Sequence, residues 1–374
     1  MTHSFSITET DFIERLTRGF SRSPLQINGL QASDAELVRL PGEHGQTIAI
    51  TTDSIVEEIE SGLYSDPRLI GWMTVMASLS DLAAVGAQPI GMVISEVFPE
   101  TYSPDAIDAL QSGIRDALSA CGTFLLGGDT NSGETLLLTG CALGIIDGTP
   151  ITRIGAQPGD LLYSSGFPGI GNAFALTVFA GTPGSVSYMP CARLTEGVII
   201  RRFASSCMDT SDGVISTLDQ MMRINGTGYC IDKPVESMLE QTSYRIARES
   251  GIPPWLLLAG QHGEFELLFT IPPKNEEHFL HAAKSVGWHP IPIGGVIAEP
   301  TIAISIDGRP TQIDTAYLRN LATHQTRGAG RAGARHYIEG LLEYAASLAG
   351  NNSKKIIFVS TEDGGNKMRS ERNV

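Results

Sequence analysis

Apolar positions follow two rhythms along this chain. A spacing of three to four residues marks one face of a helix, and a spacing of two marks a strand. Residues 8–20 (TETDFIERLTRGF) set Phe12, Leu16 and Phe20 on one face and read as a short capped helix. QTIAITTD, residues 46–53, reads as a strand ending in Asp53. Residues 66–86 form a largely apolar helix stopped at Gly86, 89–98 a strand, and 103–121 an amphipathic helix that starts at a Ser cap. Strands at 123–127 and 135–146 follow, separated by GGDTNSG.

The rhythm breaks over 147–160 (IDGTPITRIGAQPGD), whose Gly and Pro content predicts a crossing between domains. It then resumes with strand LLYSSG, helices 171–180 and 193–204, strand SSCMD, helix 213–224, strand YCID and helix 237–250. Strand FELLFTI, helix 275–287 and strands 291–297 and 301–306 complete it. Two similar halves, each mixing α and β, predict two α+β domains, 1–147 and 148–324. Residues 325–374 differ: TRGAGRAGAR is linker-like, HYIEGLLEYAASLAG fits one amphipathic helix, and the polar end makes this an appended tail, weakly docked or partly mobile.

Composition narrows the function. A length of 374 residues suits two domains, and a net charge of −15 argues against nucleic acid, whose affinity rests on Lys and Arg. The five cysteines form no C-x-x-C pair and read as buried thiols in a reducing compartment. No signal peptide stands out, and no apolar run approaches the ~20 residues that span a bilayer. The expectation is a cytoplasmic protein without a membrane partner. Lysine is absent before Lys233, which excludes a P-loop lysine in that stretch. Phosphate chemistry there must use metal, arginine and backbone N–H groups.

Aspartates supply the candidate chemistry. Asp34, Asp53, Asp81, Asp129 and the pair Asp209 and Asp212 recur at strand ends or in Gly/Ser-rich turns. Each alone reads equally as a cap or turn residue. Together they predict a nucleotide site with more than one Mg²⁺, because carboxylates gather around a triphosphate only when cations offset their repulsion. Gly127 and Gly128, ahead of Asp129, permit close backbone approach to phosphate.

Six segments in order carry a resemblance: ITTDSIVEE, GWMTVMASLSDLAAVGAQP, LLGGDTNSGETLLLTGCALG, ITRIGAQPGDLLYSSG, CMDTSDGV and FELLFT. Over about residues 8–320 the chain resembles thiamine-monophosphate kinase, a member of the superfamily of aminoimidazole ribonucleotide synthetase. The resemblance implies an α+β, two-domain PurM-like fold, with an N-terminal ATP-binding α/β domain, a dimer-forming sheet and a C-terminal α+β domain. It implies ATP and Mg²⁺ as cofactors, a homodimer, and phosphoryl transfer to a small-molecule acceptor. Its metal ligands fall on Asp34, Thr51, Thr52, Asp53, Asp81, Asp129, Asp209 and Asp212, and its nucleotide contacts on Gly127, Gly128, Asp129, Arg153 and Ser211. Asp129, Asp212 and Arg153 are the expected catalytic residues.

The acceptor side departs from the family's pattern. Glu60 stands where the family has a substrate-binding His, and Gly263 where it has a Glu, with Glu264 beside it. Tyr317 is a weak equivalent of a later aromatic, and Asn172 replaces an Asp. His262 is a loop His near the expected acceptor, a general base if that acceptor were an alcohol or amine and otherwise a surface residue. Glu60 would put negative charge where a phosphomonoester sits, so the acceptor expected here is not thiamine monophosphate. Two alternatives share the nucleotide half: an ATP-dependent ligase or cyclase of the aminoimidazole ribonucleotide synthetase type, and a non-catalytic nucleotide-binding protein.

Overall fold

The computed structural model describes residues 9–42, 45–181, 186–306, 308–325, 330–349, 356–360 and 366–370. The first half holds strands β1 (Glu36–Arg39), β2 (Thr47–Ser54), β3 (Gln88–Pro99), β4 (Leu125–Gly133) and β5 (Leu137–Ile146). Its helices are α1 (Glu9–Thr17), α2 (Val56–Ser61), α3 (Pro67–Ala84) and α4 (Pro104–Ala120). The second half holds β6 (Leu161–Ser164), β7 (Ser206–Asp209), β8 (Gly228–Ile231), β9 (Leu267–Ile271), β10 (Ile291–Ile297), β11 (Ile302–Ile306) and β12 (Arg309–Ile313). With them go α5 (Ile170–Phe179), α6 (Leu194–Phe203), α7 (Val214–Asn225), α8 (Val235–Met238), α9 (Gln241–Glu249), α10 (Leu256–Ala259), α11 (Glu276–Ser285) and α12 (Thr315–Gln325). The tail adds α13 (Gly330–Leu348) and a hairpin of β13 (Ile356–Ser360) and β14 (Asn366–Ser370).

The first sheet runs β1-β2-β5-β3-β4, and the second β12-β11-β8-β10-β6-β9-β7. The α+β reading of the sequence therefore stands. Helix α3 joins the two halves. Asp66 caps it by accepting from the Arg68 N–H, and Pro67 opens its first turn. It is apolar on every side because every side is covered: the first sheet, α4, α6 and β7 pack around it. Glycines set that closeness. A Cβ on Gly71 would meet the Leu110 carbonyl at 2.0 Å, and one on Gly197 the Ala83 carbonyl at 2.1 Å.

Three expectations need correction. GGDTNSG is not a turn between strands, because β4 continues through it to Gly133, paired in parallel with β3. The helix expected over 8–20 stops at Thr17, so Phe20 lies beyond it, and both Leu16 and Phe20 are exposed. Over 330–348 the tail is not weakly docked: α13 buries Tyr337, Ile338, Leu341, Tyr344 and Ala345 in the main core.

Candidate functional site

Strand β2 alternates its side chains between two faces. Thr51 and Asp53 turn toward α3, while Ile48, Ile50, Thr52 and Ser54 face the open side of the sheet. The C-terminal end of α3 supplies Ser80 and Asp81. Strand β7 ends at Asp209, and the segment before β1 brings Asp34. Carboxylate oxygens of Asp34, Asp81 and Asp209 lie within 4.8 Å of one another. Thr51 Oγ1 donates to Asp81, Ser80 Oγ to Asp209 Oδ2 at 2.7 Å, and Ser211 Oγ to Asp209 Oδ1 at 3.0 Å. Arg153 donates to Asp34 Oδ1 at 2.9 Å. Asp34 Oδ2, Asp53 Oδ2 and Arg153 Nε are buried with no hydrogen-bond partner.

So many acids in one place resist ionisation. Burial, then the neighbouring Asp53, Asp209 and Asp34, holds Asp81 well above the usual carboxylate range. Asp209 is pushed up to about 7 by burial and Asp34, although Ser80 and Arg153 pull the other way. Asp53 is raised by burial, a tendency its hydrogen bond to Asp81 opposes. The Arg153 guanidinium stays charged, since Asp34 outweighs its desolvation.

These residues floor a cavity of about 830 Å³. Asp34, Thr51, Asp53, Asp81, Arg153, Asp209, Ser211 and Asp212, all anticipated from sequence, line it together, while Thr52 reaches only its rim because its hydroxyl turns to the open face and donates to the Gly140 carbonyl at 3.0 Å. Gly127, Gly128 and Asp129 do not join them. Asp129 pairs with Ser95 on the open face of the sheet, hydrogen-bonds Asn131 at 2.7 Å, and is exposed on edge strand β4. Three strand spacings of about 4.8 Å put it about 14 Å from β2, on the other side of the sheet. Gly128 is held against β3 so closely that a Cβ would meet the Ile94 carbonyl at 2.0 Å.

The expected acceptor residues fare unevenly. Glu60 lies on α2 at the cavity but is exposed, and the neighbouring Glu58 turns inward instead. Burial, with Glu57, Asp212 and Asp53 nearby, raises Glu58 to about 7. His262 is no surface residue. It is buried in a ring cluster with Tyr64, Phe174 and Tyr188, and its Nε2 is 3.3 Å from the Tyr64 hydroxyl. Desolvation lowers it to about 3, so it is neutral and a poor general base. Glu264 is a buried brace that accepts from the Gly169 N–H at 2.8 Å and stands back from the cavity. Burial raises it to about 8. Gly263 has no room for a side chain, since a Cβ would meet the Thr210 carbonyl at 1.4 Å. Asn172 accepts from the His262 N–H at 3.1 Å and donates to the Leu257 carbonyl at 2.8 Å, which fixes this loop.

Tyr317 lies outside the cavity, stacked on Tyr344. Tyr337 of α13 lines the cavity instead, its hydroxyl donating to the Ala259 carbonyl at 2.9 Å, and Ile338 and Leu341 extend that wall. Glu58 and Tyr337 are the residues that sequence reasoning missed. Glu58 was legible as part of VEEIES, where three acids leave open which one faces inward. Tyr337 sits past the resembling segments and gave no signal.

The family model for the AIR synthase related protein, N-terminal domain, matches residues 32–146. The thiamine-monophosphate kinase of Salmonella typhimurium is 30% identical over 275 residues, 70% of this chain and 82% of that protein. That of Escherichia coli K12 is 28% identical over 302 residues, 78% of this chain and 91% of that protein. Among solved structures, tt0281 from Thermus thermophilus superposes with a TM-score of 0.68 at 26% identity, covering 81% of this chain and 97% of that one. AaThiL complexed with AMPPCP and TMP superposes with a TM-score of 0.67 at 19% identity, covering 83% and 97%, a likeness of fold.

Proposed function

We propose a function from the premise that this chain belongs to the thiamine-monophosphate kinase family: Mg-ATP-dependent phosphoryl transfer to a small hydroxyl- or amine-bearing acceptor that is not itself a phosphomonoester. ATP-dependent phosphoryl transfer is the family's activity. The nature of the acceptor is our reading of the cavity.

The observation that carries the metal half is the set Asp34, Asp81 and Asp209 with orphaned oxygens on Asp34 and Asp53. Buried acceptors without donors fit a hard divalent cation, which takes oxygen ligands and is shared with nucleotide phosphates. Asp34, Asp53, Asp81 and Asp209 would hold Mg²⁺, with Asp212 at the cavity side. When bound, Mg²⁺ supplies the positive charge that draws phosphate oxygens together and offsets charge on the transferring group. Arg153 stays cationic and directs an unpartnered Nε–H within the same wall. Ser80 and Thr51 fix the carboxylates they donate to. Catalysis then rests on placement and electrostatics, with no covalent enzyme intermediate.

The acceptor half is acidic. Glu57, Glu58, Glu60, Asp212 and Asp219 line it, while Arg223 and Arg319 both pair with Asp219. An acceptor phosphate would meet carboxylates, and its guanidinium partners are already engaged. A hydroxyl or amine instead needs a base, and Glu58 at about 7 matches that task. We assign it the proton from the attacking group.

The open face of the first sheet suits the homodimer. Ile50 pairs with Leu143 and Ile48 with Ile145 across it, and Ile90 and Val93 extend it. A second copy covering this face would shelter β4 and bring Asp129, Gly127 and Gly128 into an enclosed setting beside the interface.

The deciding experiment incubates purified protein with Mg-ATP, with and without thiamine monophosphate, and follows products by mass. Tight Mg-dependent nucleotide binding without thiamine diphosphate is expected. Thiamine diphosphate at a useful rate, lost in Asp81→Asn, would overturn the acceptor reading and leave the metal half standing.

A further inference from the structure

The proposed reaction uses none of the five cysteines, and all are free thiols. Two of them meet. Cys121 caps the C-terminus of α4, in the first half of the chain, and Cys191 lies in the segment between α5 and α6. They lie close enough that each thiol is the largest influence on the other's acidity. Cys121 Sγ also contacts Met76 Sδ at 3.7 Å, and the methionine sulfur accepts the Ala192 backbone N–H at 3.4 Å. Helix α3 therefore holds both segments together through one methionine. Both cysteines are half-buried, so a small oxidant can reach them.

Their acidities diverge. The neighbouring Cys121 thiol and the charge of Arg193 lower the Cys191 thiol to about 7, while Cys121 is raised. One thiolate beside one retained thiol is the arrangement of an attacking and a resolving cysteine.

We propose that Cys121 and Cys191 form a reversible intramolecular disulfide when the protein meets a hydroperoxide. The Cys191 thiolate attacks the terminal peroxide oxygen, the O–O bond breaks, and Cys191 becomes a sulfenic acid as alkoxide or hydroxide leaves, which takes up the proton Cys191 gave to solvent and departs as alcohol or water. Cys121 Sγ then attacks the sulfenic sulfur. The S–S bond forms, the S–O bond breaks, and hydroxide leaves with the Cys121 proton as water. Two thiols lose two electrons in total, and the hydroperoxide gains them.

The bond would act on the neighbouring cluster. The segment at Cys191 also carries Tyr188, whose hydroxyl donates to the Gly263 carbonyl at 2.7 Å, and Arg193, which grips Glu266 through two nitrogens. Trp72 Nε1 donates to the Pro190 carbonyl at 2.6 Å. Oxidation would pin this segment, and with it one wall of the ring cluster around His262, to the end of α4.

The test treats the full chain with hydrogen peroxide, alkylates remaining thiols, digests without reductant and maps peptides by mass. The expected result is one linked pair, Cys121 to Cys191, with two fewer alkylated thiols, reversed by dithiothreitol. Cys121→Ser and Cys191→Ser should each abolish the link, and Cys141→Ser and Cys230→Ser should keep it. Oxidised protein in which both cysteines remain alkylatable overturns the proposal. So does Cys191 oxidised alone to sulfinate, or a link found only between two chains. The wild-type peptide map decides even where a variant folds poorly.

Discussion

At the scale of single residues, the acids that line the cavity, Glu58 of α2 among them, decide what the site can do. The aspartates were legible because strand ends and Gly/Ser turns have few reasons to collect so many of them. Which glutamate of VEEIES turns inward depends on how α2 sits on the body, and spacing does not carry that. Replacing Glu58 by Gln keeps its shape and removes its proton affinity. With an active acceptor, kcat should fall by about 10²–10⁴, ATP affinity should hold, and the limb of the pH–rate profile near 7 should disappear. An unchanged profile would exclude Glu58 as the base. The same raised acids set the stability of the metal-free protein. Asp209 and Glu58 titrate at about 7 and Glu264 at about 8 in the folded state, against ordinary values of 3.8 and 4.5. Their contribution is complete below those ordinary values and is lost as pH rises through 7 to 8. His262 acts oppositely, because its folded value of about 3 lies below 6.5 and its contribution is lost as pH falls between them. Above pH 6.5 only the acids count. Unfolding free energy without metal should drop by on the order of 1–3 kcal/mol from pH 6.5 to about pH 9. Mg²⁺ should shrink that drop, and Asp209→Asn should shrink it without metal. Calorimetric scans with EDTA and with Mg²⁺ measure both.

At the scale of elements, long periodic segments were readable and short ones were not. Helices α3 and α4 announce themselves by a cap, a proline and an even apolar supply. Strand β4 was cut short because GGDTNSG has turn composition, yet its backbone continues beside β3. Glycine content describes the freedom of a segment, and its neighbours decide how that freedom is used. The tail misled in the other direction. Gly and Arg over 326–335 suggested a tether, but α13 already begins at Gly330, its Leu341 and Ile338 are buried against the main core, and its Tyr344 hydroxyl accepts from the Asp314 N–H at 2.7 Å. Leu341→Ala should therefore cost about 2–4 kcal/mol, the range for a large-to-small change in a packed core. Urea denaturation measures it, and a cost near zero would mean that α13 is dispensable to the fold. Because α13 also walls the cavity, Ile338→Ala should alter acceptor KM while ATP KM stays constant.

At the scale of the whole molecule, the incomplete convergence of the aspartates is the most informative result. All of them come together except Asp129, which is stranded with Gly127 and Gly128 on an exposed edge strand. The open sheet face around it is apolar: Phe124 is 69% exposed, Leu126 54% and Ile90 43%, and Val93 lies close by. A patch of that kind on a chain with net charge −15 is what an interaction surface requires. The resemblance read from the sequence implies a dimer-forming sheet, whereas alternation alone marks a strand with one covered face and is silent about what covers the other. A homodimer would account for both facts, since a two-fold contact uses the same face twice and encloses both copies of β4. Val93→Asp and Leu126→Asp place charge in the middle of that contact without touching the carboxylate floor. Each should halve the mass measured by light scattering and abolish phosphoryl transfer, while each monomer keeps the wild-type far-UV dichroism. Variants that become monomeric yet retain full turnover would show that Asp129 serves the reaction without a partner, and the exposed face would then need another occupant.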